Sequence, residues 1–288
     1  MKELVTPKQV ARAIQASESS VKRWCDKGLI PTQYTAGGHR RIPISGLMDF
    51  LRSGKHRLVR PEVLGLPATT GQTDRVIDRA SGQLTEALVG GDEEQARQIV
   101  FDMYLAGHSI CAICDLVFAK SLREIGDRWE CGAVEVYQER YSCEQALRVL
   151  YELRMAISAP PTDAPLAIGG AIEGDQYYLA TTMVELVLRD AKWNAKSLGN
   201  NLPLDTLNAA IKQHSPRVFW ISASHMADES NFIESYSNLY DEFGRDVAFV
   251  VGGRALTEEV RQQMKYAAFC DNLEHLGAFT QTLLGKAK

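Results

Sequence analysis

The sequence predicts a multidomain chain of α and α/β class: a small winged helix-turn-helix, then a four-helix bundle, then a Rossmann-like domain. Three observations carry this prediction. Residues 1–60 hold 12 Lys+Arg against 4 Asp+Glu, a formal +8, whereas the remainder holds 20 against 32, a formal −12. From residue 75 to 158 apolar residues recur at intervals of three and four, the spacing of amphipathic helices. From Leu166 onward short apolar runs alternate with helical stretches, the pattern of a parallel sheet covered by helices. The implied boundaries are 1–60, a linker at 61–74, a bundle at 75–160 and an α/β domain at 161–288.

A chain of 288 residues has room for two or three domains, each with its own core. No apolar run approaches membrane-spanning length, and Met1-Lys2-Glu3 lacks the apolar stretch of a signal peptide, so the expected location is cytoplasmic. Six cysteines in such a chain are expected as reduced thiols. A pI near 5.9 excludes a protein that coats nucleic acid over its whole surface. Any polyanion contact must be local to the basic head.

In that head, Thr6-Pro7 followed by Val10, Ala11 and Ile14 reads as a capped helix with proline in its first turn. Ser17 can cap a second helix that turns Val21 and Trp24 inward and Ser19, Ser20, Lys22 and Arg23 outward, and Gly28 ends it. Thr35-Ala36-Gly37-Gly38-His39-Arg40-Arg41-Ile42 is a glycine turn followed by three donors and an apolar anchor. Paired glycines permit a hairpin tip that comes close to a backbone, while His39, Arg40 and Arg41 can donate to phosphates. Ile44, Leu47, Met48, Phe50 and Leu51 then mark a third amphipathic helix. Residues 3–53 thus resemble the winged helix-turn-helix of the MerR family, whose wing often reads GGHRR. The resemblance implies that the helix bearing Ser19, Ser20, Lys22 and Arg23 enters the major groove of double-stranded DNA. The wing residues Thr35, Gly37, Gly38, His39, Arg40 and Arg41 would hold the flanking backbone. One such module reads few base pairs, so a homo-oligomer, dimer or tetramer, is expected.

The segment Pro61–Asp74 mixes Pro, Gly, Thr and Gln and reads as a linker. Four helices are predicted near 75–90, 92–106, 109–129 and 134–158, separated by Gly90-Gly91, Gly107 and Gly132. Trp129 and Glu139, nine residues apart, could together cap a ligand, although core filler and a surface charge are the commoner roles of such residues. Cys111 and Cys114 fall short of a zinc site because no second pair has suitable spacing. Cys131 and Cys143 stand close to Trp129 and Glu139 and are the two candidates for covalent attachment of a bilin. No metal ligands and no catalytic residues are assigned.

In the last third, strands are predicted at 166–172, 193–198, 217–222, 247–252 and 267–270, with helices at 176–190, 203–213, 229–243, 257–266 and 274–285. Ligands of such folds lie beyond the carboxyl ends of the strands. Those ends are Glu173-Gly174-Asp175-Gln176, Ser222-Ala223-Ser224-His225 and Gly252-Gly253-Arg254. Their spacing resembles that of cobalamin-binding domains, which show Asp-x-His-x-x-Gly, then Ser-x-Leu, then Gly-Gly. Here Tyr177 stands where the family has its cobalt-ligating His, Ala180 replaces Gly, and Ser224 replaces Leu.

Nearly end to end, the chain is similar to the cobalamin-dependent light-sensing repressors of the CarH/LitR type. Their bundle carries Trp, nine residues, then Glu-His over the cofactor; Trp129 and Glu139 match, but Arg140 replaces the His. A phenol is a poor cobalt ligand beside an imidazole, and a permanently charged guanidinium cannot ligate. The resemblance implies a pocket from Trp129, Glu139, Arg140, Asp175, Tyr177, Ser222, Ser224, Gly252 and Gly253 whose cobalt ligation is lost. The cofactor is left unknown: the candidates are a tetrapyrrole (a linear bilin, a haem, or cobalamin without histidine ligation) or no ligand. His225, at a strand end, is a substitute donor or an ordinary polar loop residue. The expected function is a DNA-binding transcription regulator, a repressor controlled by ligand or light. The alternative is a constitutive or protein-partner-controlled regulator with no cofactor. An enzyme is not expected, because no stretch is spare for a catalytic domain.

Overall fold

Thr6 closes a capping box at the start of α1 (Pro7–Ala13): its hydroxyl accepts from the Gln9 amide, and the Gln9 side chain accepts from the Thr6 N–H. The chain is seen in a computed structural model that describes residues 1–54, 56–71 and 76–285. It divides into two units, Met1–Ala159 and Pro160–Lys288.

In the first unit, Ser17 caps α2 (Glu18–Asp26) by accepting from the Ser20 amide. Strand β1 (Leu4–Val5) and strand β2 (Gln33–Tyr34) flank β3 (Arg40–Pro43), both antiparallel to it, with Val5 opposite Ile42 and Tyr34 opposite Arg40. Helix α3 (Ile44–Arg52) buries Ile44, Leu47, Met48, Phe50 and Leu51, the five residues that its spacing singles out. Trp24 packs at ring distances of 5.3 Å from Phe50 and 4.6 Å from His56, as an apolar filler and not a groove contact.

Helices α4 (Ile77–Val89), α5 (Glu93–Leu105), α7 (Ala119–Glu130) and α8 (Val136–Ala156) follow. The predicted helix at 109–129 is interrupted: a short turn, α6 (Ile110–Ala112), runs into a π-helical segment, Ile113–Phe118, before α7. Leu84, Leu88, Ile99, Met103, Ile113, Val117, Ala146, Val149, Leu150 and Leu153 are all buried between these helices.

The expected linker is not loose. Residues Pro61–Leu64 form a 3-10 turn packed on α1, and Leu58, Pro61, Leu64, Leu66 and Thr70 are buried. The Ala13 carbonyl accepts from the amides of Val59 and Arg60, Arg97 donates to the Gly65 carbonyl (3.0 Å), and the Gly71 amide donates to the Asp102 carboxylate (2.7 Å). Proline and glycine here shape a strap pinned by side chains from elsewhere. Positions 72–74 of the predicted linker and position 75 of the first predicted bundle helix lie outside the described residues, as do 286–288. The Arg52 guanidinium stacks on Tyr104, 4.1 Å from the ring centre, and donates to the Tyr104 carbonyl (2.6 Å). Head, strap and helices thus share one unit, Met1–Ala159, whereas the composition suggests a linker of moderate stiffness between head and helices.

In the second unit, β4 (Leu166–Ala171), β5 (Asn194–Ser197), β6 (Val218–Ser222), β7 (Ala248–Gly252) and β8 (Ala268–Phe269) form a parallel sheet in the order β5-β4-β6-β7-β8. This is a doubly wound order, and its switch point lies between β4 and β6. One face packs Ile168, Phe219, Ile221, Phe249 and Val251 on residues of α10 (Leu204–His214) and α11 (Glu229–Phe243). On β6 the alternate residue Trp220, buried, donates through Nε1 to the Thr181 hydroxyl of α9 (Tyr178–Asp190) at 2.9 Å. Helix α13 (Leu273–Gly285) packs against α9. The helix predicted at 257–266 is shorter than expected, α12 (Glu258–Arg261), because Met264 is turned into the core.

Candidate functional site

The head presents a basic groove of about 530 Å³ between α1, α2 and the β2–β3 hairpin, lined by Lys8, Lys22, Tyr34, His39, Arg40 and Arg41 among others. Gly38 takes a left-handed φ of 73° at the hairpin tip, which returns β3 antiparallel to β2 along one wall of the groove. Of the sequence-predicted residues, Lys22, Gly38, His39, Arg40 and Arg41 line it together. Ser19 is exposed near the start of α2 and Arg23 is exposed farther along. Ser20 is half-buried, its amide and hydroxyl both spent on the Ser17 cap. Thr35 is a turn residue whose hydroxyl accepts from the His39 amide (3.2 Å), and Gly37 is exposed beside it.

Two of the cations are engaged within the head. Lys22 pairs with Glu18 (2.7 Å), and Arg40 reaches the Asp26 carboxylate while its Nε donates to the Tyr34 hydroxyl (3.2 Å). The Tyr34 hydroxyl and Asp26 hold Arg40 firmly protonated. Asp26 thereby holds a residue of the β2–β3 hairpin fourteen positions away, a pairing no local sequence signal announces. Lys8 and Tyr34 also line the groove although the motif does not single them out; their signal is only proximity in chain to Thr6 and to the wing.

The other predicted residues fall into two sets, one in each unit. In the first, Trp129 ends α7 with 45% of its surface exposed, and Glu139 lies on the first turn of α8. Glu139 accepts from the Cys143 thiol (3.4 Å) and pairs with Arg140 (3.4 Å), which is otherwise solvent-facing. Burial first, and then the Glu139 carboxylate, push the Cys143 thiol up to about 12. A thiol so held is a proton donor at neutral pH and a poor nucleophile. Cys131 is exposed and donates to the Arg128 carbonyl (3.3 Å).

In the second unit, Asp175 is fully buried and braces three loops at the carboxyl end of the sheet. Its Oδ1 accepts from the Tyr177 amide (3.0 Å), its Oδ2 from the Ser224 amide (2.5 Å), and its carbonyl from the Asn201 amide (3.1 Å). A buried carboxylate is tolerated because backbone donors meet both oxygens. The Tyr177 ring, 39% exposed, lies under the Arg254 guanidinium (5.6 Å), and Arg254 Nε donates to the Ser224 carbonyl (3.1 Å). Ser222 is buried at the end of β6. Gly253 has φ 114°, and a Cβ there would lie 2.3 Å from the Ala223 carbonyl oxygen; at Gly252 it would lie 2.9 Å from that of Cys270. Neighbouring backbone of this chain, at the ends of β6 and β8, therefore already requires both glycines. His225 is exposed just beyond Ser224. A cavity of about 400 Å³ lies nearby at the switch point, lined by Glu173, Asp205, Asp228, Met226 and Phe232 among others.

Neither set fits a histidine-ligated cobalt centre. Position 177 offers a phenol capped by a guanidinium, position 140 a guanidinium paired to a carboxylate, and among the described residues no cluster of His, Cys, Asp or Glu has metal-holding geometry. Arg254 and Asn201 are the sheet-end residues that the motif comparison leaves unassigned. Arg254 directly follows the paired glycines, which is the one sequence signal that could have flagged it.

Comparison with known proteins places two labelled regions on this frame. Residues 4–55 match the family model described as a helix-turn-helix domain, and residues 81–154, the helices α4 to α8, match that described as a B12 binding domain. The trimethylamine corrinoid protein of Methanosarcina barkeri is 25% identical over 179 residues, spanning 60% of this chain and 82% of that protein. Trimethylamine corrinoid protein 2 of Methanosarcina mazei is 23% identical over 190 residues, spanning 65% and 85%. The solved structure of the Methanosarcina barkeri monomethylamine corrinoid protein superposes with a TM-score of 0.60 at 15% identity, covering 72% of this chain and all of that one, a likeness of fold. Among the described residues no helix is long and apolar enough to cross a membrane. The chain thus joins a helix-turn-helix domain to a cobalamin-binding-type body.

Proposed function

We propose that this protein is a cytoplasmic DNA-binding transcription regulator, a repressor of the MerR and CarH/LitR kind. In this reading it acts as a dimer or tetramer and carries no enzymatic activity. Its winged helix-turn-helix reads double-stranded DNA. Its four-helix bundle and Rossmann-like domain form a sensor derived from a cobalamin-binding module, controlled by a ligand or light. Protein ligation of cobalt is lost in this reading, and the ligand of the sensor form is a tetrapyrrole, whether a linear bilin, a haem or cobalamin without histidine ligation, held by other contacts. The observation that carries the reading is the basic groove between α2 and the hairpin, in the same chain as a match to a B12 binding domain. A second reading, a constitutive or partner-controlled regulator without cofactor, is favoured by the sheet end: Asp175, Gly252 and Gly253 are each occupied by contacts within the chain.

The test is the absorption spectrum of protein purified from cells supplied with haem, bilins and cobalamin, together with duplex binding. A visible band whose bleaching or removal alters duplex binding supports the sensor. A colourless protein with unaltered binding supports the partner-controlled form. Tyr177→His combined with Arg140→His is expected to restore measurable cobalamin binding by titration. No uptake by that double variant would mean that the pocket itself has been remodelled.

A further inference from the structure

Among the described residues that line the basic groove of the head, one is an acid. Glu18 stands there with Lys8, Lys22, Arg40 and Arg41, whereas Asp26, which holds Arg40, is not part of the lining. Glu18 and Lys22 are four residues apart on α2, about 40° round the helix from each other, and both side chains are nearly half exposed. The Lys22 ammonium, 2.7 Å from Oε1, holds the Glu18 carboxyl below the usual carboxylate range. The pair is therefore a fixed acceptor beside a fixed donor. Neither partner is used up: Oε2 keeps its lone pairs, and Glu18 takes only part of the donor capacity of the ammonium.

A carboxylate in a groove that faces a polyanion costs affinity unless the duplex offers it a donor. Phosphates and deoxyribose offer none, so the donor must be a base amino group, cytosine N4 or adenine N6 in the major groove. Lys22 decides between them. On a G·C pair the cytosine donor stands next to guanine O6, with N7 beyond it, so an ammonium beside the carboxylate can take both acceptors. On an A·T pair the acceptors N7 and O4 lie on either side of the N6 donor, and one ammonium cannot take both. The helix dipole favours an acid anywhere in this first turn, which leaves its place in the groove unexplained.

We propose that Glu18 and Lys22 read one G·C base pair for each bound head, Glu18 accepting from cytosine N4 and Lys22 donating to guanine O6 and N7. The inference rests on the regulator reading above, in which α2 enters the major groove, and names a base pair that this reading leaves open.

The test is selection of duplexes from a random-sequence pool by the full chain. The wild type is expected to enrich a motif in which one cytosine column depends on Glu18. Glu18→Gln should turn that column to adenine, because an amide is bidentate to adenine N6 and N7. Glu18→Ala should leave the column without preference. Changing that base pair should weaken wild-type binding by about 5- to 150-fold and leave binding of the Glu18→Ala variant unmoved, as fluorescence anisotropy can read. An ion pair that only steadies the helix would alter affinity without altering the column. A wild-type motif without cytosine, or one in which every cytosine survives both substitutions, overturns the proposal. A wild type that enriches no duplex at all overturns the regulator reading, and this assignment with it.

Discussion

Replacing Arg41 by alanine should change the salt dependence of duplex binding by a fixed amount. Arg41 lies at the base of the hairpin, opposite Gln33, and lines the basic groove with His39 and Arg40. Unlike Arg40, it pairs with no carboxylate among the described residues, and its Nη1 donates to the Arg40 carbonyl at 3.4 Å. If it neutralises one phosphate on binding, its loss makes the slope of log K against log salt less negative by about 0.9. The penalty of the variant relative to wild type should therefore shrink by about 3.5-fold between 50 and 200 mM salt. Fluorescence anisotropy of a labelled duplex at four salt concentrations reads this directly. Arg60→Ala is the control, because Arg60 is paired with Glu62 on the strap and lies off the groove. A slope for the Arg41 variant equal to that of the Arg60 control would refute the assignment of the groove as the phosphate-binding surface.

Two further outcomes follow from the ligand-side residues. Asp175→Asn removes the charge that two backbone amides share and turns an amide donor toward one of them, which should cost about 1.5–3 kcal/mol. Faster hydrogen exchange in the peptides containing Tyr177 and Ser224 would show it, and unchanged exchange would contradict the bracing role. Iodoacetamide at pH 8 should label Cys131 and spare Cys143. A thiol pushed from 9.0 to about 12 holds roughly a thousandfold less thiolate, as peptide mass spectrometry can check. Equal labelling of the two would mean that burial and Glu139 do not protect Cys143.

Much of this molecule can be read from the residues alone, and the exceptions have a common cause. The caps at Thr6 and Ser17, the glycine tip of the hairpin and the alternating strands of the last third are local signals, written within a few residues of where they act. What escapes is non-local. The strap looks like a linker because its own composition is Pro, Gly and Thr, while the groups that pin it, Arg97 and Asp102, lie some thirty residues on. The π-helical segment at Ile113–Phe118 hides because apolar intervals of three and four survive a single five-residue turn. At the candidate site, Tyr177 and Arg140 at the two positions where the resemblance leads one to expect imidazoles are plain in the sequence. The Arg254–Tyr177 stack and the Asp26–Arg40 pair depend on how strands and turns return.

The strap also decides where this protein can be cut. A head fragment ending at residue 60 would discard Pro61 and Leu64, which cover α1, and leave apolar surface of that helix in water. Extending it to residue 71 restores the cover but strands Gly65 and Gly71 without Arg97 and Asp102. In the regulator reading proposed above, transplanting the head of this chain onto another protein, or a foreign head onto this one, should therefore succeed only at the joint near Ala159. The exchangeable cassette is the head together with its helices.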